Sequence, residues 1–434
     1  MATGRLTELG AEPGTEAIAR FTRALIAQDS DSQSEGNPGF LPAATTCIDL
    51  VADALREARL DVEVFRTATG HPTIAAVLEG RGHGRTLVLN GHVDVVPAGD
   101  PDGWRHDPWA GAVEDGILYG RGAADMKGGV AAMVFALRAL AAAGWRPEGS
   151  VVVHVVSDEE IAGTGSREAM TRTGSADGVI SCEPTDLDVV TVHGGLVHLR
   201  VEVDGVAAHA GERYTTVRPG YEINGVNAIE KAMLVVGALR DLERAWGDKA
   251  PTALLPPGFN TISPGIFLAG PGGGRDGRLD AIGNPGTIPD YAAVEFNIWY
   301  LPTESRDAVA AEVEAAVTRV ACGDEWLRDR PPRLSWGFNG LDVPAASIAA
   351  GHPLVESLSS AGAAAGRRPD IVGFTAASEL GWYAQRGIPG VLYGPGRIKE
   401  AHGVDEHVAI ADVAAAARAV ALTCEAFCGS ADEH

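Results

Sequence analysis

Short apolar runs of about strand length, several of them followed at once by a cluster of acids or histidine, constrain this chain more than any other feature. Such runs occupy residues 73–78, 86–89, 151–156, 179–180 and 390–393, and helical patterns at 128–143 and 166–170 separate several of them. Amphipathic stretches at 15–28 and 45–58 add two more helices. Alternation of this kind predicts an α/β sheet covered by helices. Open sheets of that type collect ligands beyond the C-terminal ends of their strands, which is where the polar clusters fall.

The middle of the chain obeys a different pattern. Residues 198–203 alternate like a half-exposed strand, 224–243 read as helix, 260–268 and 292–300 as strands, 305–320 as helix and 332–336 as a last strand. That order is β-α-β-β-α-β, the split βαβ module. The Gly-rich segment 270–286 is followed by neither a P-loop lysine nor a helix pattern, so it reads as a connector. The expected organisation is a mixed-sheet α/β catalytic domain made of residues 1–194 and 343–434. It is interrupted by a ferredoxin-like α+β domain at 195–342. A length of 434 residues suits more than one core, at roughly 150 residues per domain.

Composition narrows the partners. Lys and Arg total 35 against 58 Asp and Glu, a formal charge of -23, which repels nucleic-acid backbones and anionic membranes. The Ala-rich run at 128–144 is shorter than the roughly 20 apolar residues of a membrane span and carries Arg138. The first residues, MATGRLTELGAEPG, have no basic-then-apolar signal pattern, and five cysteines are few. A soluble cytoplasmic protein is expected. Cys424 and Cys428, one helical turn apart, read as buried small residues, and His154, inside a strand, as a packed core residue; His193 and His198 read as structural.

The chemistry lies in five clusters: Gly91-His92-Val93-Asp94, Asp125-Met126-Lys127-Gly128-Gly129, Ser157-Asp158-Glu159-Glu160, Cys182-Glu183-Pro184 and Ala401-His402-Gly403. Two histidines and several carboxylates without thiolate favour a borderline divalent ion, Zn²⁺ first, with Co²⁺ or Mn²⁺ able to replace it. A dinuclear hydrolytic site needs about five ligands, one of them bridging, and a carboxylate left over for proton transfer. The adjacent pair Glu159-Glu160 can divide those tasks, since neighbouring side chains at a strand end point apart.

In their order and spacing, GHVDVVP, GRGAADMKGG, SDEEIAGTGS, CEPTD and AHGVDEHV resemble the M20 family of metallopeptidases and deacylases over nearly the whole chain. That family includes acetylornithine deacetylase, succinyl-diaminopimelate desuccinylase, aminoacylase-1 and glutamate carboxypeptidases. The resemblance implies that Asp125 bridges two metals, with His92 and Glu183 on one ion and Glu160 and His402 on the other. It implies Glu159 as general base and then acid, Asp94 as the group that holds the His92 imidazole, and a cis bond between Asp125 and Met126. It further implies a lid that mediates dimerisation and sends His209 to the partner's site to stabilise an oxyanion. Trp104 and Trp109 would pack beneath the site.

Substrate choice is less clear. In that family Glu at the position of Glu183 accompanies deacylases and carboxypeptidases, and Asp accompanies dipeptidases and aminopeptidases. Lid residues normally include an Asn before a turn and then D-x-R; Asn284 and Ile288-Pro289-Asp290 match loosely, but the strand reads Glu295-Phe296-Asn297 and lacks the arginine. Where many relatives carry S/T-D-x-R, this chain has Ser378-Glu379-Leu380-Gly381. A dicarboxylate needs a bidentate arginine, so a succinyl-diaminopimelate substrate is disfavoured. Arg213, Arg218 and Arg397 are the remaining candidates for a carboxylate partner, and the turn Gly394-Pro395-Gly396 offers backbone N–H groups. The expected function is hydrolysis of an N-acyl amino acid, as in acetylornithine deacetylase. The alternatives are a dipeptidase or carboxypeptidase, a deformylase of a non-amino-acid formamide, and, from another class, a non-catalytic binding protein on the same fold.

Overall fold

A computed structural model of the chain describes residues 14–33, 40–161, 163–218, 220–222, 224–250, 252, 254–271, 285–338 and 340–430. Asn284 lies outside the described residues. The chain divides into two compact units, Met1–His193 with Ala346–His434, and Gly194–Ala345.

The first unit is built on a nine-stranded mixed sheet. Its strands are β1 (Asp61–Arg66), β2 (Pro72–Leu78), β3 (Leu87–His92), β6 (Val151–Val156), β7 (Gly178–Ser181), β8 (Val189–His193), β14 (Ala346–Ser347), β15 (Ile371–Phe374) and β16 (Gly390–Leu392). Their order is β1-β2-β6-β3-β7-β16-β8-β14, with β15 beside β8. The run β6-β3-β7-β16 is parallel throughout. β3 and β6 are buried along their whole length, as Val- and Leu-rich strands covered on both faces must be. Four adjacent parallel strands end on one side of the sheet. Three of the five sequence clusters, and the Gly-Pro-Gly turn, follow those four ends.

Helices complete the core. Gly128–Ala142 is apolar and buried over its first ten residues, and packs against Ile410–Cys428, which in turn packs against Pro353–Ala364. The last two helices escape a periodicity search because Ala-rich sequence blurs the contrast between faces. A small antiparallel sheet, β4 (Ala112–Glu114), β5 (Ile117–Tyr119) and β17 (His407–Ala409), ties the segment after His402 to the loop before Asp125. Cys424 and Cys428 are free and buried, and His154 is buried between the Tyr383 hydroxyl at 2.7 Å and Thr173 Oγ1 at 3.0 Å.

The second unit has the predicted β-α-β-β-α-β order. Its antiparallel sheet runs β10-β11-β9-β12, from β9 (Gly195–Asp204), β10 (Thr261–Gly270), β11 (Tyr291–Tyr300) and β12 (Arg333–Trp336), with β13 (Asp342–Val343) also on β9. Val197, Leu199, Val201 and Val203 alternate with half-exposed residues, so one face is buried, against the helices Ala228–Trp246 and Arg306–Gly323. Asn227 and Ser305 start those helices by accepting backbone N–H groups of their first turns. No helix among the described residues is long and apolar enough to cross a membrane.

Candidate metal centre

His92 is the last residue of β3, and its ring is fixed from behind. Nδ1 lies 3.0 Å from the main-chain oxygen of Asp94, which can only accept, so Nδ1 carries the ring proton and donates it. Nε2 then faces Asp125 Oδ1 at 3.1 Å. The other oxygen of the same carboxylate, Oδ2, lies 3.4 Å from His402 Nε2, and His402 Nε2 also lies 3.2 Å from Glu160 Oε1. One carboxylate thus presents an oxygen to each imidazole, the arrangement a bridging ligand requires. The ligand atoms of His92, Asp125 and Glu160 fall within 4.8 Å of one another.

The adjacent glutamates diverge. Glu160 goes to His402, while Glu159 Oε2 stands 3.9 Å from His92 Nε2, too far for a hydrogen bond. Glu183, buried just beyond β7, adds a further carboxylate whose charge acts on His92, Asp125 and Glu159. The loop carrying Asp125 includes the cis peptide bond Asp125–Met126.

The groups of this cluster shift one another's protonation. Burial raises the Glu159 carboxyl well above its ordinary range, reinforced by Glu183 and Glu160. Glu183 is raised in the same way by burial and by Asp125. The hydrogen bonds to Asp125 and Glu160 lift His402 to about 10. Burial disfavours the His92 imidazolium, yet Asp125 and the charges of Glu159, Glu183 and Asp94 carry it well above its usual value. Burial also opposes the Asp125 carboxylate, but His402 and His92 hold it far below the normal carboxylate range. Burial and the crowding of carboxylates raise Glu159 and Glu183, while the two imidazoles and Asp125 favour each other's charged forms. Lone pairs of His92 Nε2 and Asp125 Oδ1 only 3.1 Å apart need a proton or a cation between them. Imidazole and carboxylate donors of this kind, from His92, Asp125, Glu160, Glu183 and His402, could hold divalent metal.

Asp94 meets the His92 imidazole through its main-chain oxygen, 3.0 Å from Nδ1, with a carboxylate oxygen 3.6 Å away. The buried carboxylate accepts the backbone N–H groups of Glu159, at 3.3 Å, and Glu160, at 3.1 Å, together with the Ser32 hydroxyl. It therefore sets the turn that splits the two glutamates. The Gly394 N–H is donated to Thr185 Oγ1 at 3.2 Å and so is already engaged within the protein. Gly394 and Gly396 are needed for close approach: a Cβ at Gly394 would lie 2.4 Å from the Cys182 oxygen, and one at Gly396 3.0 Å from Ala124 Cβ.

The arginines have partners of their own. Arg397 and Arg367 converge on Asp186, at 3.2 and 3.1 Å. In the second unit Arg213 forks onto Glu230. Arg218 ends a short helix there, and its backbone N–H donates to Tyr214. His209, exposed in the second unit, accepts the Gly211 N–H on Nδ1 at 3.0 Å, which leaves Nε2 as the protonated nitrogen of the neutral ring. Trp104 is buried and stacks on Arg121, and Trp109 lies 6.0 Å from the Lys127 ammonium.

Sequence reasoning passed over several buried polar residues. Asp158 accepts the N–H groups of Thr164 and Gly165 and so anchors the helix after the glutamate turn. Asn90 links Ser166, Ser181 and Glu379, whose Oε1 has no partner and whose carboxyl burial pushes up to about 7. Arg121 and Glu406 form a buried ion pair at 2.6 Å. Asp158, Arg121 and Glu406 sat inside the quoted motifs, but nothing in a linear pattern distinguishes a residue that holds a ligand from one that merely adjoins it.

A mixed α/β sheet that brings two histidines and a set of buried carboxylates to one rim defines a hydrolase of the metallopeptidase class. Residues 88–426 match the family described as Peptidase family M20/M25/M40, and the chain belongs to it. It is 31% identical over 370 residues to an N-formyl-4-amino-5-aminomethyl-2-methylpyrimidine deformylase of Bacillus subtilis, covering 83% of this chain and 84% of that one. It is 30% identical over 413 residues to a succinyl-diaminopimelate desuccinylase of Xanthomonas campestris pv. campestris, covering 92% and 96%. Its fold matches that of a tripeptidase from Staphylococcus aureus with a TM-score of 0.70 at 18% identity, over 95% of this chain and 98% of that one. The chain is thus a hydrolase of a family that acts on amide bonds.

Proposed function

We propose that this protein is a dinuclear metal amidohydrolase that removes a small acyl group, formyl first, from a non-peptidic amine. The observation that carries the metal chemistry is the Asp125 carboxylate, with Oδ1 facing His92 and Oδ2 facing His402. When bound, two divalent ions, Zn²⁺ by donor chemistry with Co²⁺ or Mn²⁺ as substitutes, would polarise the amide carbonyl and acidify a water.

The chain's own groups do the rest. The Asp94 carboxylate fixes the turn that turns Glu159 inward while Glu160 serves as a ligand. Glu159 takes a proton from water as the water oxygen bonds to the carbonyl carbon; the C–N bond then breaks and Glu159 returns that proton to the departing amine. The products are a carboxylate and an amine. His209, supplied by a second copy of the chain, donates from Nε2 to the carbonyl oxygen as it gains charge. An edge strand with exposed Ile266 and Phe267, and a helix with exposed Met233 and Leu234, support a dimer through the second unit.

The engagement of two of the three candidate arginines supports the substrate. Arg213 and Arg397 are engaged by Glu230 and Asp186, Asn297 stands where an arginine would serve a dicarboxylate, and Gly381 carries no side chain. The deformylase relative fits such a site better than the desuccinylase does. The formamide reading therefore ranks ahead of the N-acyl amino acid, which the choice of Glu183 still favours as second.

The test is a panel on the zinc-loaded enzyme: a formamide of an aminomethylpyrimidine, N-acetylornithine, N-succinyl-diaminopimelate and a dipeptide. The formamide should give the highest kcat/KM by at least about tenfold, a difference of roughly 1.4 kcal/mol. Faster turnover of the succinyl substrate would overturn the substrate assignment. Glu159→Gln should bind zinc normally yet lose about 10²–10⁴ in kcat, and full activity in that variant would refute the proton-transfer role.

A further inference from the structure

The buried pair Arg121–Glu406 spans 285 residues of sequence and touches the backbone beside both Asp125 and His402. Glu406 Oε1 accepts the backbone N–H groups of Ala124 and Asp125, each at 2.9 Å. Its Oε2 accepts the Gly122 N–H at 3.1 Å and Arg121 Nη1 at 2.6 Å. One carboxylate thus holds the backbone from which the bridging Asp125 projects. Arg121 Nη2 donates to the main-chain oxygens of Pro97, at 3.1 Å, and His402, at 3.4 Å. His402 has φ +61°, a left-handed conformation that a side chain with a Cβ rarely adopts, so its carbonyl needs an outside tether. Arg121 is 2% exposed, and its guanidinium lies 5.1 Å from the centroid of the Trp104 ring.

We propose that Arg121 and Glu406 are positioning residues that place Asp125 and His402 together, so that the half-site formed by Asp125, Glu160 and His402 depends on this one ion pair. The proposal rests on the dinuclear reading above. It goes beyond that reading in assigning the assembly of one half-site to two residues that touch neither metal nor substrate. The other half-site, with His92 at the end of β3 and Glu183 just beyond β7, is anchored by the sheet itself. The two half-sites should therefore respond unequally.

The full-length apoprotein is titrated with Zn²⁺ by calorimetry, alongside Glu406→Gln and Arg121→Lys. Cobalt absorption follows the geometry of each equivalent. Gln at 406 turns an amide donor toward Arg121 or toward the backbone N–H groups. Lys at 121 keeps the charge opposite Glu406 but loses the second arm that reaches His402. In Arg121→Lys one zinc equivalent should weaken by about 10–100-fold, with an altered cobalt spectrum, while the other stays near its wild-type affinity; in Glu406→Gln, which also loosens the shared Asp125, that equivalent should still weaken more than the other. Excess zinc should restore kcat in Arg121→Lys. Should Glu406→Gln not fold, Arg121→Lys decides, with circular dichroism as the check on folding. Two equivalents of unchanged affinity in a folded Arg121→Lys, or equal weakening of both, would overturn the inference and leave the dinuclear reading intact. Fewer than two equivalents in the wild type would refute the dinuclear reading and the inference with it.

Discussion

Gly129→Ala isolates what holds Glu183 in place. Gly129 is the second residue of the helix Gly128–Ala142, and a Cβ there would sit 1.9 Å from the Cys182 carbonyl oxygen. A real Cβ does not approach within 3.0 Å, so the oxygen must retreat by about 1.1 Å. Gly394 also packs closely on this segment, since a Cβ there would lie 2.4 Å from the same oxygen and 2.6 Å from that of Glu183. The Cys182 N–H is also tied to the Asn90 oxygen at 3.0 Å. The obstruction is backbone rather than the end of a flexible side chain, so the cost should reach the upper part of the roughly 1–3 kcal/mol typical of overpacking. For a unit of this size that is a loss of roughly 5–10 °C in Tm. A shift of order 1 Å at Glu183 should reduce kcat/KM by about 10². Zinc affinity should fall at the His92–Glu183 side, the reverse of the pattern expected for Arg121→Lys. Gly91→Ala is the control, because its Cβ would meet Met126 Cε at 3.0 Å and Val130 Cγ2 at 3.1 Å, which can yield by a few tenths of an ångström. Differential scanning calorimetry and zinc titration read both variants. A Gly129→Ala protein with wild-type Tm and zinc affinities, or a Gly91→Ala protein damaged as severely, would show that this contact does not set the ligand.

Two further outcomes follow from buried and exposed groups. Burial depresses the His154 imidazole to about 3, so the folded state stays neutral there while the unfolded chain takes up a proton below its ordinary 6.5. The stability from the neutral ring is complete above pH 6.5 and is lost as pH falls towards 3, in total roughly 4–5 kcal/mol. Urea melts between pH 7 and 4 should fall more steeply for the wild type than for His154→Gln, and parallel slopes would contradict this. Phe267→Lys combined with Met233→Lys should convert a dimer to a monomer in sedimentation velocity. If His209 serves the partner's site, kcat should drop by about 10²–10³; a wild type that sediments as a fully active monomer would refute that arrangement.

Much of the centre was legible because strand chemistry is local. A run such as 151–156 is apolar because both its faces are covered, and the polar residues begin where the strand leaves the sheet. His92, Glu159, Glu160 and Glu183 therefore announce themselves at strand ends. The β-α-β-β-α-β order of the second unit was legible for the same reason, since Val197, Leu199, Val201 and Val203 alternate with half-exposed neighbours. Elements without periodic contrast were not. The Ala-rich helix Ile410–Cys428 and the short strand Ile371–Phe374 form because the rest of the fold offers them a surface.

The sequence by itself determined the residue types of the five clusters, their order, the placement of several at strand ends and the net acidity of the chain. Only the tertiary structure decided which residue holds which. The Asp94 carboxylate supports the glutamate turn while its main-chain oxygen takes the imidazole, Gly394 donates its N–H to Thr185, and Arg121 reaches Glu406 across the chain. The physical reason is that a strand's period dictates where its own residues point, whereas a hydrogen bond between distant segments depends on how separately folded loops come to rest against each other.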